Sequence, residues 1–362
     1  MEKKLPILLL TLAVLVGLSG GYVLVGLQAY ASYQHTSLAS QEHCGGQSPV
    51  QVCVRTPTAI FSAFYPSYVA NQYPLFIVTY RSDKPITLVL SVTIIGFSQT
   101  RMQTVNATVS TQSTTFTPPL TGQVLRTFTT ESNTSVRVQV TDTNKHLYYL
   151  NDSPLRLHSR WVMQWIAANR LKIAAWVTPN TPEITTLMRK AQHNFYVQLA
   201  ATQKAMSGYS NASRKGVIAQ VNAIYDTLLL DYHMKYLQAS VPYTGTDDTA
   251  GATQNIKLPA EILQQHSGMC IELTLLLASA IEHIGLHTEI VLIPGHAFLG
   301  VAVTPDEKHF EFWDAVQINN NIAGDSANTA ADTVYTTNRN NHTILDTILI
   351  SDARKANIEA MI

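Results

Sequence analysis

Charge is scarce in this chain. Only 13% of its 362 residues are Asp, Glu, Lys or Arg, and 24 basic side chains are matched by 24 acidic ones. A sequence with no polybasic stretch and no net charge offers little to phosphate backbones or anionic headgroups, which sets nucleic acid aside as a partner. Cysteine is scarce as well. Three such residues cannot staple a chain of this length, so the folded state has to rest on apolar cores. With 46% hydrophobic residues there is material for two of them, and disorder on a large scale is not expected. No H-E-x-x-H pair occurs and no acidic cluster resembles a calcium loop, so no metal or other cofactor is implied.

What the chain does have is one long uncharged run at its start. From Leu5 to Leu27 there are 23 residues without a charge, preceded by Lys3 and Lys4. That length spans a bilayer, and the two lysines place the remainder of the chain outside the cytoplasm. Ala29 and Ala31 form an A-x-A pattern, so cleavage after Ala31 would release a secreted form, whereas the length of the run favours an uncleaved anchor. Residues 1–33 therefore read as a membrane anchor or signal segment. Export changes the meaning of the cysteines, because an oxidising compartment pairs thiols that reach each other. Cys44 and Cys53 lie in "CGGQSPVQVC", a stretch able to fold back on itself, and are expected to form a local disulfide. Cys270 is left as an odd thiol.

Residues 34–72 show no clear period and read as a linker. From 73 to 158, β-branched residues alternate with polar ones, as in "SVRVQV", and turn residues punctuate the runs "PLFIVTYR", "ITLVLSVTIIGF" and "QVLRTFTT". This spacing predicts an antiparallel, immunoglobulin-like β-sandwich. Nothing in it has catalytic spacing. Beyond His158 the period lengthens to 3.6: Trp161 and Trp165 are four apart, Thr181 and Pro182 suit a helix start, and Val217, Val221, Ile224, Tyr225 and Leu228 form a helical stripe. Residues 159–362 are expected to form an α+β domain.

Within it, "HSGMCIELTLLLASAIEHIG" predicts a break at Ser267-Gly268 and a helix from Met269 to Ile284, stopped at Gly285. Cys270 falls in the first turn, where unpaired N–H groups and the helix dipole favour a thiolate. Glu272, Ser279 and His283 share a polar face, and Cys270 shares the opposite one with Thr274, Leu277 and Ile281. Three strands follow: "TEIVLI", then "PGHAFLGVAV" opening near His296, then "FEFWD" ending at Asp314. A three-residue loop at Thr304, Pro305 and Asp306 sets His296 directly opposite Asp314. A slip of two residues leaves the pair diagonal but on one face, because the pleat repeats every second residue. A helix-start thiol, an imidazole on the adjoining sheet and a carboxylate to orient it are the parts of a nucleophilic triad.

The run from about Val217 to Ala315 resembles the transglutaminase-like superfamily. Gly268-x-Cys270-x-Glu272 is similar to the start of that family's central helix, "GHAF" from Gly295 to its histidine strand, and "FWDA" from Phe312 to its aspartate ending. Successive members of the trio are separated by 25 and 17 residues. The resemblance covers about a quarter of the chain and implies a papain-like fold with Cys270, His296 and Asp314 as catalytic residues. It implies acyl transfer on amide bonds through a Cys270 thioester: water as acceptor makes a peptidase or amidase, an amine makes a transglutaminase. The expected partners are a peptide or protein substrate, cell-wall peptide among the candidates by location, and the membrane through the N-terminal helix. The alternative is a non-catalytic surface module with an inert fold of this kind.

Other residues are weaker candidates. Gln254, Gln264 and Gln265 all stand upstream as oxyanion donors. His266 and His309 compete with His296 as base. His283 and His287 are four apart, but Gly285 between them ends the helix and argues for surface histidines.

Overall fold

The alternating pattern of the first half builds two sheets, each buried on one face. In this computed structural model residues 40–198, 206–210, 213–245 and 252–361 are described. The expected anchor or signal segment at 1–33 lies outside them. Among the described residues, no helix is long and apolar enough to cross a membrane. The first sheet runs β1 (Ser40–Gly45), β2 (Val50–Pro57), β4 (Phe76–Ser82), β7 (Gln112–Phe116). The second runs β3 (Ala59–Phe61), β9 (Leu147–His158), β8 (Ser132–Asp142), β5 (Ile86–Ile94), β6 (Arg101–Ala107). Val136, Val138 and Val140 turn inward, as do Leu88, Leu90 and Val92 of β5. On the outer face Arg137 pairs with Asp152 through two hydrogen bonds of 2.8 and 2.7 Å. Helices α1 (Tyr65–Ala70) and α2 (Gly122–Thr127) are short connections.

Three expectations are corrected here. Residues 40–61 are not linker but strands: "VQVCV" in β2 buries Val50, Val52 and Val54, while β1 is mostly exposed and carries no apolar alternation that would announce it. Cys44 and Cys53, joined as a disulfide, tie those two strands together. The sheets are not wholly antiparallel, because β3 pairs with β9 in parallel. The third correction concerns the helical period after His158. Val162–Gln164 is a strand, β10, paired with β12 (Thr253–Asn255), and a 3-10 helix follows over Ala167–Trp176. Trp161 and Trp165 are four apart for another reason: their indole N–H groups donate to Glu261 and Gln254, at 2.9 Å each.

From Pro182 the helical reading holds. Thr181 accepts from the Ile184 N–H at the start of α3 (Pro182–Gln198). The stripe from Val217 to Leu228 is fully buried along α4 (Arg214–Leu230). A short α5 (Pro259–Gln265) leads through β13 (Ser267–Gly268) into α6 (Cys270–His283), which Gly285 ends in the left-handed region at φ 76°. Every residue from Cys270 to Ile281 is buried, so α6 is a central helix with no solvent face. Its polar residues point into the protein with partners. Glu272 accepts from the N–H groups of Met269 and Lys257, and Ser279 accepts from the Thr178 N–H.

α6 lies on one face of an antiparallel sheet ordered β16 (Phe310–Trp313), β15 (His296–Ala302), β14 (Thr288–Ile293), β17 (Asp346–Leu349). α7 (Gly324–Asn340) covers the other face, where Tyr335 stacks on Phe312 at 3.8 Å above Val291 and Phe298. α8 (Ile350–Lys355) closes the chain. Residues 41–362 form one compact unit.

Candidate active site

Cys270 is the first residue of α6, so its backbone N–H has no acceptor within the helix. Two features fix that start. Glu272 reaches back to the Met269 N–H at 2.9 Å, and Gly268 keeps the entry narrow: a Cβ there would meet Ile262, Leu273 and Glu272 at 3.2 to 3.3 Å. Thr274, one turn on, donates to the Cys270 carbonyl at 2.8 Å and approaches the Ala297 carbonyl at 3.3 Å, coupling the helix to β15.

His296 opens β15 beside it. The hairpin register differs from the sequence expectation by two residues: Leu299 faces Trp313 and Ala302 faces Phe310, around a five-residue loop with Glu307 at φ 56°. His296 and Asp314 are therefore diagonal, yet share a face, and His296 Nε2 meets Asp314 Oδ2 at 2.9 Å. Nε2 being engaged, Nδ1 is the nitrogen left for the Cys270 thiol. Burial disfavours the imidazolium, but the hydrogen bonds from Asp314 and Cys270 and their charges outweigh it and push His296 up to about 10. Asp314 is held on both sides. Its Oδ1 accepts from the Val316 N–H at 3.0 Å and its carbonyl accepts from the Tyr225 hydroxyl at 3.3 Å. Of the three residues singled out by spacing, His296 and Asp314 are hydrogen-bonded to each other, and Cys270 is near enough for its charge to bear on the imidazole.

The sulfur is enclosed. Cys270 is 0% exposed, and Sγ lies 3.6 Å from the carbonyl oxygen of Ala239. That carbonyl belongs to an extended strap that leaves β11 (Lys235–Tyr236) and crosses the front of the site. Leu237 N–H donates to Gly268 O at 2.8 Å and Val241 N–H to Gly295 O at 3.1 Å, so the strap is fastened at both ends. At its head is Tyr236, a residue the sequence reading did not single out. β11 pairs with β13 in parallel, setting Tyr236 opposite Gly268, two residues before Cys270. Burial, then the nearby charge of Cys270 and Asp314, push this phenol up to about 12.

The glutamines separate cleanly. Gln264 is exposed, and Gln265 accepts from Lys257 Nζ at 2.5 Å. Only Gln254 borders the site, its Nε2 directed to Ser240 O at 3.3 Å and to Met269 Sδ at 3.9 Å. The rival histidines stand apart. His266 binds the Tyr232 carbonyl through Nδ1 at 2.5 Å, and Asp306 turns to Thr304 and Lys308 rather than to His309. His283 contacts the Pro179 carbonyl and His287 pairs with Glu307. Among the described residues no group of three His, Cys, Asp or Glu side chains is arranged to hold a metal ion. No protein-family model and no curated protein matches the chain.

Proposed function

We propose that this protein is an extracytoplasmic cysteine acyltransferase or amidase with a papain-like, transglutaminase-like domain behind a β-sandwich. The observation that carries the proposal is the hydrogen bond of Asp314 to His296 Nε2, which leaves Nδ1 for the thiol of Cys270 at the adjoining helix start. In the reaction, thiolate sulfur attacks an amide carbonyl carbon, a C–S bond forms, and the carbonyl π pair moves onto oxygen. The Cys270 N–H, which has no acceptor within α6, is one donor to that oxyanion. His296 gives its proton to the leaving nitrogen, the C–N bond breaks, and a thioester remains for water or an amine. Asp314 holds the ring in the orientation that keeps Nδ1 on the sulfur. The Cys44–Cys53 disulfide supports an oxidising compartment, and with it an exported chain. The substrate class is peptide or protein amide.

One observation favours the other reading, an inert surface module. Cys270 is 0% exposed, as a packed cysteine would be. Iodoacetamide separates the two. An ion-paired Cys270 alkylates well below pH 8 once the strap yields, and a screen of labelled amines and peptides then finds turnover that Cys270→Ala abolishes. A sulfur inert up to pH 8 in the folded protein, with no turnover in the screen, leaves the binding module as the reading.

A further inference from the structure

We propose that Asn222 and Tyr225, on one face of α4, are positioning residues that set the Asp314 carboxylate against His296. The inference rests on the cysteine acyl-transfer reading above, but its first readout is the His296 ring and needs no turnover.

Asp314 depends on such a hold. The ladder between β15 and β16 ends at the pair Leu299 and Trp313, and Asp314 lies one residue beyond it. β16 is also the edge of its sheet, so among the described residues no second strand takes up its outward groups. Side chains do so instead. From α7, Asn328 donates through Nδ2 to the Phe312 carbonyl at 2.9 Å, and Asp332 accepts from the Phe312 N–H at 3.1 Å. From α4, Asn222 accepts from the Trp313 indole N–H at 2.9 Å. The Tyr225 hydroxyl donates to the Asp314 carbonyl at 3.3 Å, an oxygen that also accepts from the Gln317 N–H of the 3-10 turn. Trp313 and Tyr225 are both 0% exposed, so water does not compete for either bond.

Asn222, Tyr225 and Asp226 follow the i, i+3, i+4 spacing that shares one helical face. Asp226 fixes the far end of the same segment, its Oδ1 accepting from the Gly324 N–H at 2.7 Å. Gly324 approaches so closely that a Cβ there would stand 2.9 Å from the Asn222 Cα. α4 thus grips residues 313–324 at both ends, with Asp314 at the first grip. The contact it serves is narrow: His296 Nε2 and Asp314 Oδ2 are 2.9 Å apart, and a shift of about one ångström takes such a pair out of hydrogen-bond range.

The test reads the ring and the thiol separately. In the full chain carrying isotope-labelled histidine, the His296 resonance is identified by its loss in His296→Gln and followed with pH. Acylation of Cys270 by p-nitrophenyl acetate is measured on the same proteins, with Cys270→Ala as background and folding checked by circular dichroism. Tyr225→Phe removes only a hydroxyl, and Asn222→Leu removes the acceptor of the indole. Both are expected to move the His296 titration to lower pH and to slow acylation by about 10- to 100-fold, the cost of a misplaced catalytic group. Tyr225→Phe, the milder change, carries the test if Asn222→Leu fails to fold. In an Asp314→Asn background the same changes are expected to cost nothing further, because residues that act through one group are not additive. A His296 titration that stays at its wild-type position in the folded variants, or acylation losses that add in full to that of Asp314→Asn, overturns the proposal and makes the two residues core packing. If the titration moves while the wild-type Cys270 takes up no acyl group, the positioning stands and the acyl-transfer reading falls.

Discussion

Both oxygens of Asp314 have a fixed partner, His296 on one and the Val316 N–H on the other, so its carboxylate cannot turn away from the ring. A neutral amide of the same shape tests what that carboxylate does. In Asp314→Asn the Val316 contact and the fold should persist, but the imidazole loses the charge and the hydrogen bond that lift it toward 10. The working pair needs a protonated His296, so activity is lost as pH rises through that group's titration. Lowering it moves the alkaline limb of the pH–rate profile of Cys270 acylation to lower pH. Turnover should fall by roughly 100- to 10,000-fold as the ring loses its fixed orientation, with circular dichroism unchanged. An Asn variant with the wild-type rate and the wild-type alkaline limb would reduce Asp314 to a cap on its 3-10 turn. The trio was legible in the sequence because each member sits on a locally coded element: a break before a helix, and two strands whose parity keeps 296 and 314 on one face. Tyr236 was not legible. Its proximity comes from a two-residue parallel pairing across some thirty residues of chain, which leaves no local period and no motif.

At the scale of elements, α6 is unusual in being buried all round, and its polar residues therefore carry structural duty. Glu272 is the clearest case. Burial raises its carboxyl above the ordinary range, while the Lys257 and Met269 N–H groups oppose that shift by binding the charged form. Glu272→Ala leaves two half-buried donors without their acceptor, each worth about 1–3 kcal/mol unsatisfied, so the variant should lose roughly 2–6 kcal/mol in urea unfolding. Glu272→Gln keeps one acceptor oxygen and should lose about half as much. The head of α6 would also fray, so the Ala variant's Cys270 should alkylate faster, as reagent enters a looser site. The sequence placed Glu272 on a polar face opposite Cys270, a position of structural support, but a helical period distinguishes faces without saying what covers them. The hairpin carried an error of its own. "TPDEK" specifies a turn but not its length, and the five-residue loop with Glu307 in the left-handed region shifts the register by two. Because two is the period of the pleat, the site survived the mistake.

The whole molecule was least legible where its parts join. A composition change near residue 158 suggests two domains, yet residues 41–362 are one compact unit. The reason lies in specific bonds across that point. Arg160, just after β9, donates its backbone N–H to the Phe128 carbonyl at 2.9 Å, while its side chain and the Trp161 indole reach Glu261 on α5. Asn71, from the end of α1, donates to the Ala356 carbonyl at 3.2 Å near the end of the described chain. Lys172 from the 3-10 helix lies over the rings of Phe64 and Tyr68, at 4.9 and 5.0 Å. Such seams are made of single polar contacts between distant segments, and no periodic pattern encodes them. They have a mechanical consequence for the site, because Trp161 and Trp165 start the segment that holds Gln254 and α5 behind Cys270. If the seam is integral, the β-rich half and the cysteine-bearing half unfold together. Far-ultraviolet circular dichroism, dominated by α3, α4, α6 and α7, and exposure of Cys44 and Cys53 to alkylation under reductant, which reports β1 and β2, should give coincident urea midpoints. Residues 159–362 expressed alone should lack a cooperative transition, because the partners of the Lys172 and Arg160 region are then missing. Two separated midpoints, with the isolated segment folding at the higher one, would make the β-rich half an independent spacer and leave the acyl-transfer machinery complete without it.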